Sequence, residues 1–255
     1  YLFFLVTFAA NIAVVWRGIT GGIERLCNWA MPVLFLLGVI MMIRVFTLGT
    51  PDATHPDNNI VNGLGRMWNP DWSGLLKPGV WLAAAGQIFF TLSVGMGVIL
   101  TYASYLKKND DVALSGLTAT TTNELAEVII GGSIVVPAAF AFLGPATVDT
   151  FVGKGTFSLG FSAMPLVLNS MPMGWLFGFF WFVLLFLAGI TSSISLAEPA
   201  IAFLEDEFNL SRKKAVVIFA AVTFFLCHLA IFGMSAGATT AINELDFWAT
   251  NVCMV

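Results

Sequence analysis

The sequence predicts an all-α fold, a polytopic membrane helical bundle, and three observations lead to it. Of the 255 residues, 58% are hydrophobic and only 10% are charged, whereas soluble domains carry about 25% charged residues. The mean hydropathy is +0.89. The charged residues cluster in short stretches between long apolar runs. A soluble protein with an unusually large core would spread them along the chain as surface positions, so that alternative is disfavoured.

The long apolar runs predict the individual spans, because a membrane-spanning helix needs about 20 mostly apolar residues. The predicted spans are 1–19, 26–47, 78–105, 112–143, 174–206, 212–232 and a truncated one at 241–255. The third, fourth and fifth are longer than a bilayer demands, so they must tilt, break or extend beyond the lipid. We expect residues 1–255 to form a single transmembrane domain.

Lysine and arginine residues predict the orientation of these spans. Of the 11 basic residues, those in short connections lie at 17–25, 107–108 and 212–214. Cytoplasmic loops carry an excess of Lys and Arg, so we expect these short loops to be cytoplasmic and the long connections 48–77 and 144–173 to be external. The protein is therefore expected to be a multi-pass protein of the plasma (inner) membrane, embedded in the lipid bilayer. No basic cluster indicates a nucleic-acid partner.

Other features of the sequence limit the kinds of protein to which the chain can belong. It begins at Tyr1, without a methionine, and ends at Val255, in both cases inside an apolar run. We expect it to be a fragment of a longer protein. The three cysteines show neither metal-ligand spacing nor a disulfide framework. No Ser–His–Asp order and no nucleotide-binding loop is present, so we expect no enzymatic activity.

The third span contains the strongest candidate for a helix break. It reads GQIFFTLSVGMG from Gly86 to Gly97, with Gly95 and Gly97 one residue apart. Each glycine costs a helix about 1 kcal/mol relative to alanine, which favours a break near 92–97. A break in lipid leaves backbone groups unpaired. It persists where substrate or ions use those groups, as in transporters with discontinuous helices. Close helix packing through small residues is the alternative.

The fourth span carries a carboxylate and an amide on one face. Asn123 and Glu127 are four residues apart and therefore neighbours on a helix. A carboxylate within a bilayer is costly and by default marks a functional site. The alternative is a glutamate that is simply hydrogen-bonded to a neighbouring helix.

The fifth span carries small and hydroxyl residues on one face. Thr191, Ser192 and Ser195 follow Ala188 at helical spacing. Hydroxyl and carbonyl oxygens are the hard ligands that an alkali cation prefers, although serine and threonine also hydrogen-bond neighbouring membrane helices. Pro199, directly after Glu198, should end or kink this helix.

Four stretches resemble the neurotransmitter:sodium symporter family. They are GQIFFTLSVGMGVILTYASY at 86–105, SGLTATTTNELAEVIIGG at 115–132, AGITSSIS at 188–195 and AFLEDEFNLSRK at 202–213. The likeness covers essentially all 255 residues in order. It implies an inverted-repeat transporter fold of the leucine-transporter (LeuT) type with a discontinuous helix. The spans then correspond to family helices four to ten, so that helices one to three and those after the tenth are missing.

The resemblance also implies roles for individual residues. The substrate-binding positions are Phe90, Thr91, Ser93, Met96, Ser193 and Leu196. The first sodium position is implied at Thr91 and Asn123, and the second at Ala188, Thr191 and Ser192. The external gate is implied at Gln87 and Asp246, and the cytoplasmic gate at Tyr105 and Asp206.

The function implied is sodium-coupled symport of an amino acid by alternating access, with two Na⁺ as coupling ions. Met96 stands where the family's leucine transporter has an aromatic ring, and a flexible thioether tolerates varied shapes. We therefore expect a bulky apolar or aromatic amino acid. Glu127 stands where chloride-dependent relatives carry a serine, so its carboxylate would supply the negative charge. We expect chloride-independent transport, and proton antiport through Glu127 stays open.

Other functions remain compatible with the sequence. One is an amino-acid-binding membrane sensor on the same scaffold, and another is a channel or a structural membrane subunit. A homodimer is a further possibility implied by the family. Because the family's first helix supplies much of both sodium sites, we do not expect this 255-residue chain alone to transport.

Overall fold

The regular structure of the chain is helical. The computed structural model describes residues 1–51, 53–153 and 158–235. Within those ranges no β-strand occurs, and the all-α fold class is confirmed. The predicted truncated span 241–255, with the gate residue Asp246, lies outside the described residues.

Eleven α-helices and four short turns make up the described chain. The helices are α1 (Leu2–Trp16), α2 (Arg25–Phe46), α3 (Ile60–Trp68), α4 (Pro78–Thr91), α5 (Val98–Ser104), α6 (Val112–Glu124), α7 (Gly132–Leu143), α8 (Pro145–Gly153), α9 (Met164–Ser170), α10 (Gly174–Glu207) and α11 (Arg212–Ser235). Turns of π-helix occupy Ile19–Glu24, Leu125–Gly131 and Leu159–Ala163, and a 3₁₀ turn occupies Trp72–Leu76. Each π turn leads directly into the helix that follows it. Helix α10 continues through Pro199 to Glu207.

Within the described residues, four helical stretches are long and apolar enough to cross a membrane. They are Ile19–Phe46, Val112–Leu143, Gly174–Glu207 and Arg212–Phe232. Two shorter apolar stretches accompany them, Leu2–Trp16 and Leu159–Ser170. These helices are those of an integral membrane protein, because a bilayer core of about 30 Å is matched by about 20 helical residues.

The described chain divides into two compact units. Unit 1 comprises Tyr1–Ala30 and Gly86–Asp110 together with the part that begins at Gly189. Unit 2 comprises Met31–Ala85 and Asp111–Ala188. Three helices, α2, α4 and α10, contribute residues to both units.

The core of unit 1 joins α1, the second half of α10 and the start of α11. Its buried residues are Val15, Ile23, Ile190, Ile194, Ala197, Ile201, Ala215 and Val216. Aromatic rings extend the contact between α1 and α11, where the Tyr1 hydroxyl lies 2.6 Å from His228 Nε2. Phe8 and Phe224 pack edge to face with ring centroids 5.3 Å apart. Unit 1 therefore packs α1, the second half of α10 and the start of α11 around one common core.

The core of unit 2 depends on a close approach between α3 and α7. A Cβ atom at Gly63 would lie only 2.7 Å from the Pro137 Cα, so a larger residue would push the two helices apart. The described residues of the connection 144–173 form α8, a π turn and α9, and Val148 and Met164 among them are fully buried in this core. Trp181 of α10 donates its indole N–H to the Gly160 carbonyl at 3.1 Å. These described residues are therefore packed into unit 2.

Candidate functional site

The predicted break lies between the end of α4 at Thr91 and the start of α5 at Val98. Ser93, which follows α4, has φ of 54°, the left-handed conformation that ends many helices. Its N–H donates to the Phe90 carbonyl at 3.0 Å, and the Val94 N–H donates to the Phe89 carbonyl at 2.9 Å. Together these bonds form a Schellman motif. Helix α4 therefore ends in a hydrogen-bonded C-terminal cap. The predicted discontinuous helix is confirmed.

The helix restarts at Gly97, which is left-handed at φ 76° and ψ −13°. The Thr101 N–H then makes the first full helical bond, to the Gly97 carbonyl at 2.9 Å. A Cβ atom at Gly97 would lie 3.5 Å from the Pro199 Cβ of α10. That is an ordinary van der Waals contact, so there is room for a Cβ atom. Glycine is favoured here because the backbone is left-handed.

We expect the Gly97→Ala substitution to lower the free energy of unfolding by about 1–2 kcal/mol, the cost of placing an L-residue in the left-handed region. The thermal unfolding midpoint of the purified full-length protein measures this. The matched control is Gly116→Ala in α6, where an added Cβ meets nothing within 4 Å. Alanine there should stabilise by about 0.5–1 kcal/mol. A Gly97→Ala protein as stable as the wild type would contradict the assignment.

The six predicted substrate positions all lie in unit 1. They are Phe90 and Thr91 at the end of α4, Ser93 and Met96 in the break, and Ser193 and Leu196 on α10. Phe90 is 53% exposed and Leu196 is 51% exposed. Ser193 is also exposed, whereas Thr91, Ser93 and Met96 are partly buried.

The sequence prediction missed a partner of one of these positions. The Ser193 hydroxyl lies within hydrogen-bonding distance of Asn11 Oδ1 on α1 and 3.0 Å from the Ile190 carbonyl. Asn11 in turn donates to the Thr7 carbonyl at 2.9 Å. An amide inside the apolar run of α1 was the signal that could have indicated it.

Unit 1 also contains a fully buried carboxylate. Glu198 of α10 is 0% exposed, and Arg212 binds both of its oxygens, with Nη1 2.9 Å from Oε1 and Nη2 2.8 Å from Oε2. The Arg212 Nη2 and Nε also donate to the Val15 carbonyl at 3.0 and 3.2 Å. Arg212 thus links the end of α1, the middle of α10 and the start of α11. Glu205 lies at the edge of the cluster, with Oε2 3.5 Å from Nη1.

Tyr105, a predicted cytoplasmic gate residue, donates its hydroxyl to Glu198 Oε1 at 3.3 Å. The other predicted gate residue, Asp206, lies exposed near the end of α10. Glu198 and Arg212 were not among the predicted site residues. The signal that could have found them was a carboxylate flanked by apolar residues inside a long apolar helix.

The predicted carboxylate of the fourth span lies on the π turn that follows α6. Asn123 Nδ2 lies 3.5 Å from Glu127 Oε2. The Asn123 amide nitrogen therefore faces the Glu127 carboxylate.

The other predicted ion and gate positions are distributed over both units. Thr91 belongs to unit 1 and Asn123 to unit 2. Ala188 is the last residue of unit 2 in α10, and Thr191 and Ser192 follow it in unit 1, on the same helix face. Gln87 is exposed, like all the other residues of α4 before Thr91.

Comparison with known families gives one match that covers almost the whole chain. The model of the Sodium:neurotransmitter symporter family matches residues 2–255. An uncharacterised sodium-dependent transporter of Methanocaldococcus jannaschii is 32% identical over 86% of this chain and 43% of its own length. An uncharacterised sodium-dependent transporter of Bacillus subtilis is 29% identical over 98% of this chain and 53% of its own length.

A solved structure has the same fold. The crystal structure of MhsT in complex with L-phenylalanine is similar with a TM-score of 0.79 and 32% sequence identity. The match covers 98% of this chain and 54% of the MhsT chain. The chain therefore spans about half the length of the relatives that it matches.

Proposed function

Because the chain belongs to the sodium:neurotransmitter symporter family, we propose that the full-length protein imports an amino acid together with sodium by alternating access. The observation that carries the proposal is the helix break between Thr91 and Val98. A break within a membrane-spanning helix supplies backbone groups to substrate and coupling ions. Membership of a symporter family confirms that the chain does not belong to an enzyme.

The proposed substrate is a bulky apolar or aromatic amino acid. Met96 lies in the break, and its thioether adapts to side chains of varied shape. Phe90 and Leu196 provide further apolar surface for such a side chain. The MhsT structure, which contains L-phenylalanine, supports this substrate class.

We propose two sodium ions per cycle. The first binds Thr91 and Asn123, and the second binds Ala188, Thr191 and Ser192. These positions offer hydroxyl, amide and carbonyl oxygens, the hard ligands that suit an alkali cation. Moving one charge through a membrane potential of 100 mV is worth about 2.3 kcal/mol, so two sodium ions could drive strong accumulation.

We further propose that transport does not require chloride, because the Glu127 carboxylate already supplies a negative charge beside Asn123. The short basic connections at 17–25, 107–108 and 212–214 are proposed to face the cytoplasm. Tyr105 and Asp206, the proposed cytoplasmic gate residues, would then lie on the cytoplasmic side together with the Arg212–Glu198 ion pair. The lipid bilayer surrounds the protein, and a homodimer is its proposed assembly.

The decisive experiment is a sodium-dependent binding screen of the twenty amino acids on the full-length protein, with Thr91→Ala as the control variant. We expect a bulky apolar or aromatic amino acid to bind only with sodium present. Loss of the Thr91 hydroxyl should weaken that binding by about tenfold, which corresponds to about 1.4 kcal/mol. Amino-acid binding that is the same in sodium and in potassium would contradict the proposal.

Vesicle experiments on the same protein distinguish a symporter from a sensor or a channel. A symporter accumulates the amino acid against its gradient when sodium is supplied outside. A sensor would bind without accumulating. A channel would show a conductance that is not coupled to the amino acid.

A further inference from the structure

A chain of three hydrogen-bonded groups links the restarted helix α5 to α10. Tyr102 of α5 donates its hydroxyl to Ser195 Oγ at 3.1 Å. Ser195 in turn donates to the Thr191 carbonyl at 2.9 Å. All three residues belong to unit 1. We call this chain the Tyr102–Ser195–Thr191 relay.

The chemistry of a serine hydroxyl allows Ser195 to serve both neighbours. A hydroxyl has one donor hydrogen and two acceptor lone pairs, so Ser195 can donate to Thr191 and accept from Tyr102 at the same time. Alanine at position 195 would remove both bonds. Threonine at position 195 would keep them, because its hydroxyl also bonds to a carbonyl one turn earlier in a helix.

The relay ends at a residue of the proposed second sodium site. Thr191 lies on the face of α10 that also carries Ala188 and Ser192. The other end of the relay is Tyr102, on the half-helix that begins only five residues after the left-handed Ser93. The relay therefore connects the proposed sodium ligands to the half-helix that follows the break.

We propose that Tyr102 and Ser195 are positioning residues that couple sodium at the second site to the position of α5. The inference rests on the proposed function, because it presupposes sodium at the ligands of α10. Sodium fixes the backbone around Thr191, the carbonyl fixes the Ser195 hydroxyl, and that hydroxyl holds Tyr102. Coupling between two binding events is reciprocal, so loss of the relay must weaken sodium binding.

The test measures sodium activation of uptake by the full-length protein in proteoliposomes, with radiolabelled L-phenylalanine as the probe. We expect Ser195→Ala to raise the half-saturating sodium concentration about three- to tenfold, because the coupling is lost with the one hydrogen bond of the relay, from Tyr102 to Ser195, that joins the two helices. The maximal rate at saturating sodium should stay unchanged. Ser195→Thr should restore the wild-type sodium concentration.

Three further variants control the experiment. Tyr102→Phe should reproduce the effect of Ser195→Ala, and the double variant should add nothing, because both break the same chain. Ser170→Ala in α9 removes a similar bond, from the Ser170 hydroxyl to the Leu166 carbonyl at 3.0 Å, and should leave sodium activation unchanged. A lower maximal rate with an unchanged half-saturating sodium concentration, in both relay variants, would overturn the proposal in favour of a purely structural bond.

A second readout separates this inference from the proposed function. Sodium without amino acid should raise the melting temperature of the wild type more than that of Ser195→Ala, because a ligand stabilises the state that binds it. If the wild type imports no amino acid but this difference is found, transport is refuted and the relay stands. Equal stabilisation of both proteins by sodium refutes the relay.

Discussion

Replacing Arg212 with glutamine should lower the free energy of unfolding by about 3–5 kcal/mol, the cost of leaving a buried charge without its partner. The Glu198 carboxylate is 0% exposed, whereas the Arg212 side chain is 23% exposed. The substitution leaves the buried Glu198 carboxylate without its charged partner. It also removes the donors of the Val15 carbonyl at the end of α1.

The opposite substitution should be milder. In Glu198→Gln the remaining charge is that of Arg212, which is partly exposed and keeps its bonds to Val15. We expect a loss of about 1–3 kcal/mol, typical of an unsatisfied hydrogen-bonding group. We expect the two variants to lose different amounts of stability because Glu198 is fully buried and Arg212 is partly exposed.

Thermal unfolding of the purified full-length protein checks both variants. The control is the double variant Glu198→Gln/Arg212→Gln, which has no unpaired charge and should be more stable than Arg212→Gln alone. The sodium-driven uptake of the single Arg212 variant should fall with the loss of the cluster that links α1, α10 and α11. Equal destabilisation by the two single substitutions would show that Glu198 is not the buried partner.

The sequence predicted where the helix is interrupted but not which residue caps α4. Two glycines one residue apart indicated an interruption near 92–97, and the helix is interrupted there. The residue that caps α4, however, is Ser93 in a left-handed conformation, and a serine gives no such signal. Only the hydrogen bonds of the Schellman motif identify its role.

The ion pair illustrates a second limit of the sequence. Glu198 and Arg212 are 14 positions apart, on two different helices. Periodicity predicts which residues share a face of one helix, as it did for Ala188 and Thr191. It does not predict which faces of two helices meet, and this packing decides that Arg212 binds Glu198 rather than Asp206.

Replacing Glu127 with serine should make transport chloride-dependent. The Glu127 carboxylate accepts from the Asn123 amide at 3.5 Å, and it thereby orients a proposed ligand of the first sodium. A hydrogen bond to a charged group contributes about 1.5–3 kcal/mol. Sodium-driven uptake by Glu127→Ser without chloride should therefore fall about ten- to hundredfold, since each 1.4 kcal/mol is about tenfold. Uptake by the wild type should be the same with and without chloride.

Chloride can replace the carboxylate only if the substitution leaves room for the anion. Serine is smaller than glutamate and offers a hydroxyl donor, so chloride can take the place of the carboxylate beside Asn123 and restore uptake. The matched control is Glu127→Gln, which is neutral but fills the same space, so that chloride should not rescue it. A wild type that requires chloride would refute the role of Glu127 as the fixed negative charge. Rescue of both variants to the same extent would instead place the chloride elsewhere, because the space left at position 127 would then make no difference.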